Sequence, residues 1–343
     1  MNANLTDYLL CLFASQPRRS NALQYLLIGK RTSSNLFAGL QYGCLPLLQI
    51  APKLDVKIFK NSVDQLVDQH YLCTHEKGYY QLTTLGQQYQ QQLQAHLPQP
   101  LHYDGRWMRQ LNLVKDVVLL AIQVVSQKYH HCNNYVPQTN HLYAQWWVKQ
   151  WLHHAEHHQN WQQQFITELT LLLTKLPTTQ ADFLANRFTG YQTLGLPLRQ
   201  LALNIQQSLI ATQVIEIDAW AHFWQIARQN VTQLPLITQL LPAPQYFAAN
   251  VMQTLQQFLA QRWSINQISQ HQHLRPSTIK EHLLEIAVIR PDLLANVHFG
   301  TSQQLAQLQA AWDDNHLENY HALLTQGLSF FQIRFFHIQR LTL

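Results

Sequence analysis

Charge is scarce in this sequence: only 12% of its 343 residues are Asp, Glu, Lys or Arg. A two-metal nuclease centre needs clustered carboxylates to hold its ions, and so few acids make a poor fit to one. Cysteine is scarce too. Cys11, Cys44, Cys73 and Cys132 are widely separated, with no C-x-x-C pair and no histidine at finger spacing. That argues against a zinc knuckle or a disulfide framework and for reduced thiols in a cytosol. No run reaches 18 apolar residues, so no membrane span is expected. In the opening segment MNANLTDYLLCLFASQPRRS the positive charges follow the apolar run instead of preceding it. It reads as a first core helix, not a signal peptide. The GKRT stretch at Gly29 to Thr32 is not a phosphate-binding loop: the upstream glycine is missing, and Arg31 stands where Ser or Thr would meet magnesium. No Ser-His-Asp order and no carboxylate pair is evident. The expectation is a cytoplasmic protein that is not an enzyme and uses no cofactor or metal.

What is present is a chain 47% hydrophobic, enough for a sizeable core in two or three domains. Glutamine and histidine supply much of the polar surface. The apolar residues fall mainly at helical spacing, as in WMRQLNLVKDVVLLAIQVVSQ and LTQGLSFFQIRFFHIQRL. Proline-bearing breaks at 95–105 and 235–247 divide the chain into a winged-helix-like domain (1–100), an all-helical middle (101–245) and a C-terminal helix-turn-helix domain (246–343). The fold class expected is therefore mainly α and multi-domain, with one small β-wing. The net charge of +5 is shared unevenly. Residues 1–100 hold eight Lys and Arg against five Asp and Glu, 101–245 nine against seven, and 246–343 six against six.

The C-terminal segment is the most specific. VMQTLQQFLAQRW reads as a helix burying Leu255, Phe258 and Leu259. Ser264 is placed to cap a second helix, with Ile265 and Ile268 inward and Leu274 in the turn. Pro276 opens a third helix, where its missing N–H costs nothing. Ile279, Leu283 and Ile286 follow at i, i+4 and i+7 on its core face. Ser277, Lys280, Glu281 and Leu284 then face outward, with Arg275 just before them. In a DNA reader such a helix enters the major groove N-terminal end first. The same pattern also serves as a packing unit or a protein dock.

WSINQISQHQHLRPSTIKEHLLEIAV resembles the helix-turn-helix domain at the C-termini of RecQ-type helicases, through Ser277, Thr278, Ile279, His282 and Leu283. The later LSFFQIRFFHIQRL resembles the Ile-Arg helix that closes the same domain. His271 and Gln272 depart from the family, which often carries charged residues there. Helicase motifs are absent, and the overall plan resembles the YpbB family of Firmicutes, stand-alone proteins usually encoded beside a RecQ-type helicase. The resemblance implies a RecQ-type helicase as partner, in DNA repair or recombination.

Near the N-terminus, two helices broken at Gly29-Lys30 precede a third with Phe59, Val63, Leu66 and Val67 on one face. A hairpin turning at Glu76-Lys77-Gly78 follows, which completes a winged-helix order. Phosphate supplies most nucleic-acid affinity. The candidate contacts are Arg18, Arg19, Lys30, Arg31, Lys57, Lys60 and Lys77, with Arg275, Ser277, Thr278 and Lys280 on the third helix. The basic ones read equally as ordinary surface charge. In the middle, LANRFTGYQTLGLPLRQLALNIQQS weakly resembles a sigma-type helix-turn-helix, with Arg187 and Arg199 towards phosphate, but reads more readily as a core αα-hairpin. His153/His157 and His154/His158 are i, i+4 pairs without a third metal ligand. The function expected is a non-catalytic accessory binding duplex, forked or single-stranded DNA, with most of the affinity in residues 1–100. The alternatives are a helicase-docking adaptor with little DNA affinity and a transcriptional regulator. The oligomeric state is not legible.

Overall fold

The computed structural model describes residues 4–314, 316–317 and 319–342. Met1 to Ala3, at the start of the expected first helix, lie outside them. The chain is mainly helical, as expected. Its first half contains α1 (Leu5–Leu10), α2 (Ser20–Ile28), α3 (Ser33–Gln41), α4 (Val56–Asp68), α5 (Thr84–His96), α6 (Leu111–Tyr129), α7 (Leu142–Ala155) and α8 (Trp161–Thr174). Then come α9 (Thr178–Ala185), α10 (Leu198–Asn204), α11 (Leu209–Gln229), α12 (Pro235–Leu240), α13 (Ala249–Leu259), α14 (Ile265–Gln272), α15 (Pro276–Ile289), α16 (Ser302–Asp313), α17 (Tyr320–Thr325) and α18 (Phe330–Thr342). The strands are β1 (Arg18–Arg19), β2 (Leu72–Glu76) and β3 (Tyr79–Leu82). Among the described residues no helix is long and apolar enough to cross a membrane.

The chain forms two compact units, and they cut across the linear three-part division. The first holds Met1–Pro17, Lys57–Asp104 and Met108–Pro244. The second holds Arg18–Val56, Gly105–Trp107 and Gln245–Leu343. The first unit's last segment ends at Pro244, inside the proline-bearing stretch 235–247, whereas the stretch 95–105 does not separate an N-terminal unit. The reason lies in packing: α3 lays its apolar face on α15 and α18, from the far end of the chain. The expected order of helices and hairpin is present, with α2 and α3 in the second unit and most of α4, the hairpin and α5 in the first.

Within the first unit, Phe59, Val63 and Leu66 of α4 are buried as their spacing requires. The hairpin pairs Leu72 with Leu82 and Cys73 with Gln81 in antiparallel register. Gly78 turns it at φ 84°, a left-handed conformation glycine adopts at no steric cost. Thr83 caps α5 by accepting the Gly86 N–H at 3.0 Å. Pro235 begins α12 instead of breaking the chain there, at a position where its missing N–H is harmless. Helix α11 runs through this unit with Trp220, Phe223 and Trp224 fully buried.

In the second unit, Gly29 ends α2 at φ 85°, where a Cβ would lie 2.8 Å from Gln49 Cγ. This is the break expected at Gly29-Lys30. Leu308, Leu317, Leu323, Leu328, Ile333 and Phe336 form a core closing on α18. Ile279, Leu283 and Ile286 of α15 are fully buried.

Candidate nucleic-acid interface

Helices α13, α14 and α15 form the expected helix-turn-helix. Ser264 and Gln267 make a reciprocal capping box at the start of α14. The Gln267 N–H donates to Ser264 Oγ at 3.3 Å, and the Ser264 N–H donates to Gln267 Oε1 at 2.8 Å. Together they satisfy two of the donors that every helix N-terminus leaves free. His273 ends α14 at φ 54°. The Leu274 N–H then donates to Ser269 O at 3.1 Å, which holds the turn. Pro276 occupies the first turn of α15.

Two features were not legible. A polar network lies beneath the turn: the Thr254 hydroxyl and His282 Nδ1 are 2.8 Å apart, and Gln272 Nε2 donates to Thr254 Oγ1 at 3.1 Å and to Gln257 Oε1 at 2.7 Å. His271 Nδ1 lies 2.9 Å from Gln257 Nε2, and its ring packs edge-on against Trp263. His271 and Gln272, the departures from the RecQ pattern, thus tie α14 to α13. Burial holds the His282 imidazole below its ordinary pKa, which favours the neutral ring that this network uses. Further, α15 is covered on more sides than a three-helix unit would cover it. Leu284, expected outward, is 2% exposed, because α3 and α18 pack against α15 as well. Leu259 is the converse: expected in the core, it is 39% exposed at the end of α13, and Phe258 is half-buried against Phe299.

What α15 leaves open is its N-terminal end. Arg275, Ser277 and Glu281 are exposed, and Thr278 and Lys280 half-buried. Lys280 Nζ sits 5.7 Å from the centroid of Phe331. From His282 to Ile289 every residue is buried. Only an end-on approach to nucleic acid is open to this helix, the approach by which recognition helices place their first turn against base edges. The positive end of the helix dipole faces the same way.

The other candidates divide between the units. Arg18, Arg19, Lys30 and Arg31 share the second unit with α15; Lys57, Lys60 and Lys77 lie exposed in the first. Arg18 lies over the Tyr42 ring, 5.2 Å from its centroid, and Lys30 over Tyr25 at 4.1 Å. Arg19 is half-buried. Arg31 is not a phosphate contact. Its Nε donates to Glu285 Oε1 at 2.7 Å and its Nη2 to Tyr246 O at 2.7 Å, with both charged side chains about nine-tenths buried. A buried guanidinium needs such a partner, and a carboxylate 254 positions away supplies it. Arg187, the middle-segment candidate, is likewise committed, to Glu216 at 3.0 Å and Leu196 O at 2.6 Å, while Arg199 stays exposed.

The regrouping overturns the charge argument. Counted over its three segments, the second unit holds twelve Lys and Arg against seven Asp and Glu, a surplus of five that equals the net charge of the whole chain. The first unit is balanced, eleven against eleven. The expectation that the helix-turn-helix sits in a neutral unit, with the basic residues elsewhere, does not hold. Among the described residues no group of three or more His, Cys, Asp or Glu is placed to hold a metal ion. The rings of His153 and His157 meet edge-on at 5.3 Å, on the surface.

Residues 250–337 match the family model described as a helix-turn-helix domain. Over 348 aligned residues the chain is 24% identical to "Protein YpbB" of Bacillus subtilis (strain 168), covering 97% of each chain. The similarity to that protein spans nearly the whole chain. The likeness therefore includes the first unit as well as the helix-turn-helix. No solved structure matches.

Proposed function

We propose that this protein is a non-catalytic DNA-binding protein whose contact is made end-on by α15, from the second unit. One observation carries the reading: the part of α15 left open is its N-terminal end, in the unit that holds the chain's entire positive surplus. Arg275 and Lys280 supply charge to phosphate, while Ser277 and Thr278 offer hydroxyls to phosphate or base edges. A role beside a RecQ-type helicase, in repair or recombination, is the partnership that the sequence resemblance supports.

The test is a titration of the full-length protein with duplex and forked DNA from low to physiological salt. Each phosphate neutralised contributes about 0.9 to the slope of log affinity against log salt on duplex DNA. The double variant Arg275→Ala, Lys280→Ala is expected to bind more weakly and to lose about two units of slope. A parent protein without measurable DNA affinity would replace this reading with the helicase-docking adaptor.

A further inference from the structure

We propose that the exposed face of α7, in the first unit, is a second nucleic-acid surface, one that takes single strands by stacking bases on Tyr143 and Trp146. Helix α7 is sharply two-sided. Ala144, Val148, Trp151 and Ala155 are buried. At helical spacing on the other side come Tyr143, Trp146, Lys149 and His153, all exposed, with His157 just past the helix end.

Exposed side by side, the two rings form a patch rather than scattered single residues, and they are held firmly. Tyr143 is 48% exposed and Trp146 52%, yet their rings stack at 5.6 Å with an interplanar angle of 18°. Both rest edge-on against Trp147, with centroids 5.8 and 6.5 Å away. Trp147 is itself fixed, donating its Nε1–H to Leu240 O at 2.7 Å. A ring pair pinned in this way loses little freedom when a base stacks on it. Charge fits the same occupant. Lys149 lies one turn beyond Trp146, and the acids at either end of the helix are paired. Asp116 Oδ2 is 3.1 Å from His141 Nδ1, and Glu156 Oε1 is 2.8 Å from Lys128 Nζ. Aromatic faces with a cation alongside suit a single strand, because every base has a π-face whatever its sequence. A duplex keeps its bases stacked inside and offers this surface only phosphate.

The experiment uses the full chain with fluorescently labelled oligothymidylate of about 16 nucleotides, near the upper end of common site sizes, and a duplex of equal length. The double variant Tyr143→Ala, Trp146→Ala is expected to weaken oligothymidylate binding at least about fivefold for each stacked base lost. Duplex affinity and the melting temperature should hold, since both rings lie on the surface. Trp146→Phe, which keeps a π-face, should retain most of the binding. Unchanged oligothymidylate binding in the double variant, or a parent that does not bind it, overturns the proposal and leaves this face to a protein partner. An equal loss on duplex overturns it as well. Duplex binding through α15 is read by its own variants, so the two proposals fail separately.

Discussion

The second unit holds twelve Lys and Arg against seven Asp and Glu, whereas the first holds eleven of each. In sequence order the same residues give another picture, with a surplus of three in residues 1–100, two in 101–245 and none in 246–343. Four of the five surplus charges come from 39 residues, Arg18 to Val56, that join the C-terminal helices in one unit, and the fifth is Arg106. Charge is therefore a property of the folded unit, and counting it by linear segment assigned it to the wrong place. The two units also differ in how their polar groups are spent. Each buries an ion pair, Arg31–Glu285 in the second and Arg187–Glu216 in the first, and the first also shows paired aromatics and histidines on the surface of α7.

The most severe way to break the second unit is at that ion pair. Arg31→Ala leaves Glu285 charged, buried and alone, which costs roughly 3–5 kcal/mol. Denaturant unfolding of the second unit should show it. A loss no larger than that of an exposed-lysine control such as Lys53→Ala would mean that Arg31 faces solvent after all. Next is the core of α15. Ile279→Ala should cost roughly 2–4 kcal/mol through the cavity it leaves. Leu284→Ala should cost a similar amount, because α3 and α18 cover it; Lys280→Ala should leave stability nearly unchanged. If Leu284→Ala behaves like Lys280→Ala, the close packing of α3 and α18 around α15 is wrong.

A smaller effect is expected from pH. His337 lies beside Phe37 and Trp312, and burial, aided by the Arg334 guanidinium, pushes its pKa from 6.5 down to about 4. His282 is shifted in the same direction by burial. A histidine kept neutral in the fold takes up its proton more readily once unfolded, so acid favours the unfolded chain. Stability should be level above pH 6.5 and fall as pH drops from there towards 4. Thermal melts across that range should show a shallower fall for His337→Phe than for the parent. An equal fall in both would remove His337 from the account.

Much of this was legible. The cap at Ser264, the break at Gly29, the hairpin at Gly78 and the phase of Ile279, Leu283 and Ile286 are local matters of propensity and spacing. Leu284 and Arg31 were not legible for a shared reason. Periodicity tells which face of a helix is apolar, but not which distant segment will cover the remaining faces. On a free three-helix unit Leu284 would point to solvent; here helices from both ends of the chain cover it. Arg31 reads as surface charge until Glu285, 254 residues on, is found against it. The aromatic pair on α7 carried a readable signal, since Tyr143 and Trp146 are spaced i, i+3. On the same helix Trp151 is buried and Trp147 half-buried.

The central claim is that duplex DNA is held by the second unit. Its most direct test compares two triple variants of the full chain in one salt titration. Neutralising Lys30, Arg275 and Lys280 in the second unit should flatten the slope of log affinity against log salt by about two to three units. Neutralising Lys57, Lys60 and Lys77 in the first should change it by less than about one. The reverse order, with binding lost in the Lys57/Lys60/Lys77 variant and kept in the other, would contradict the account.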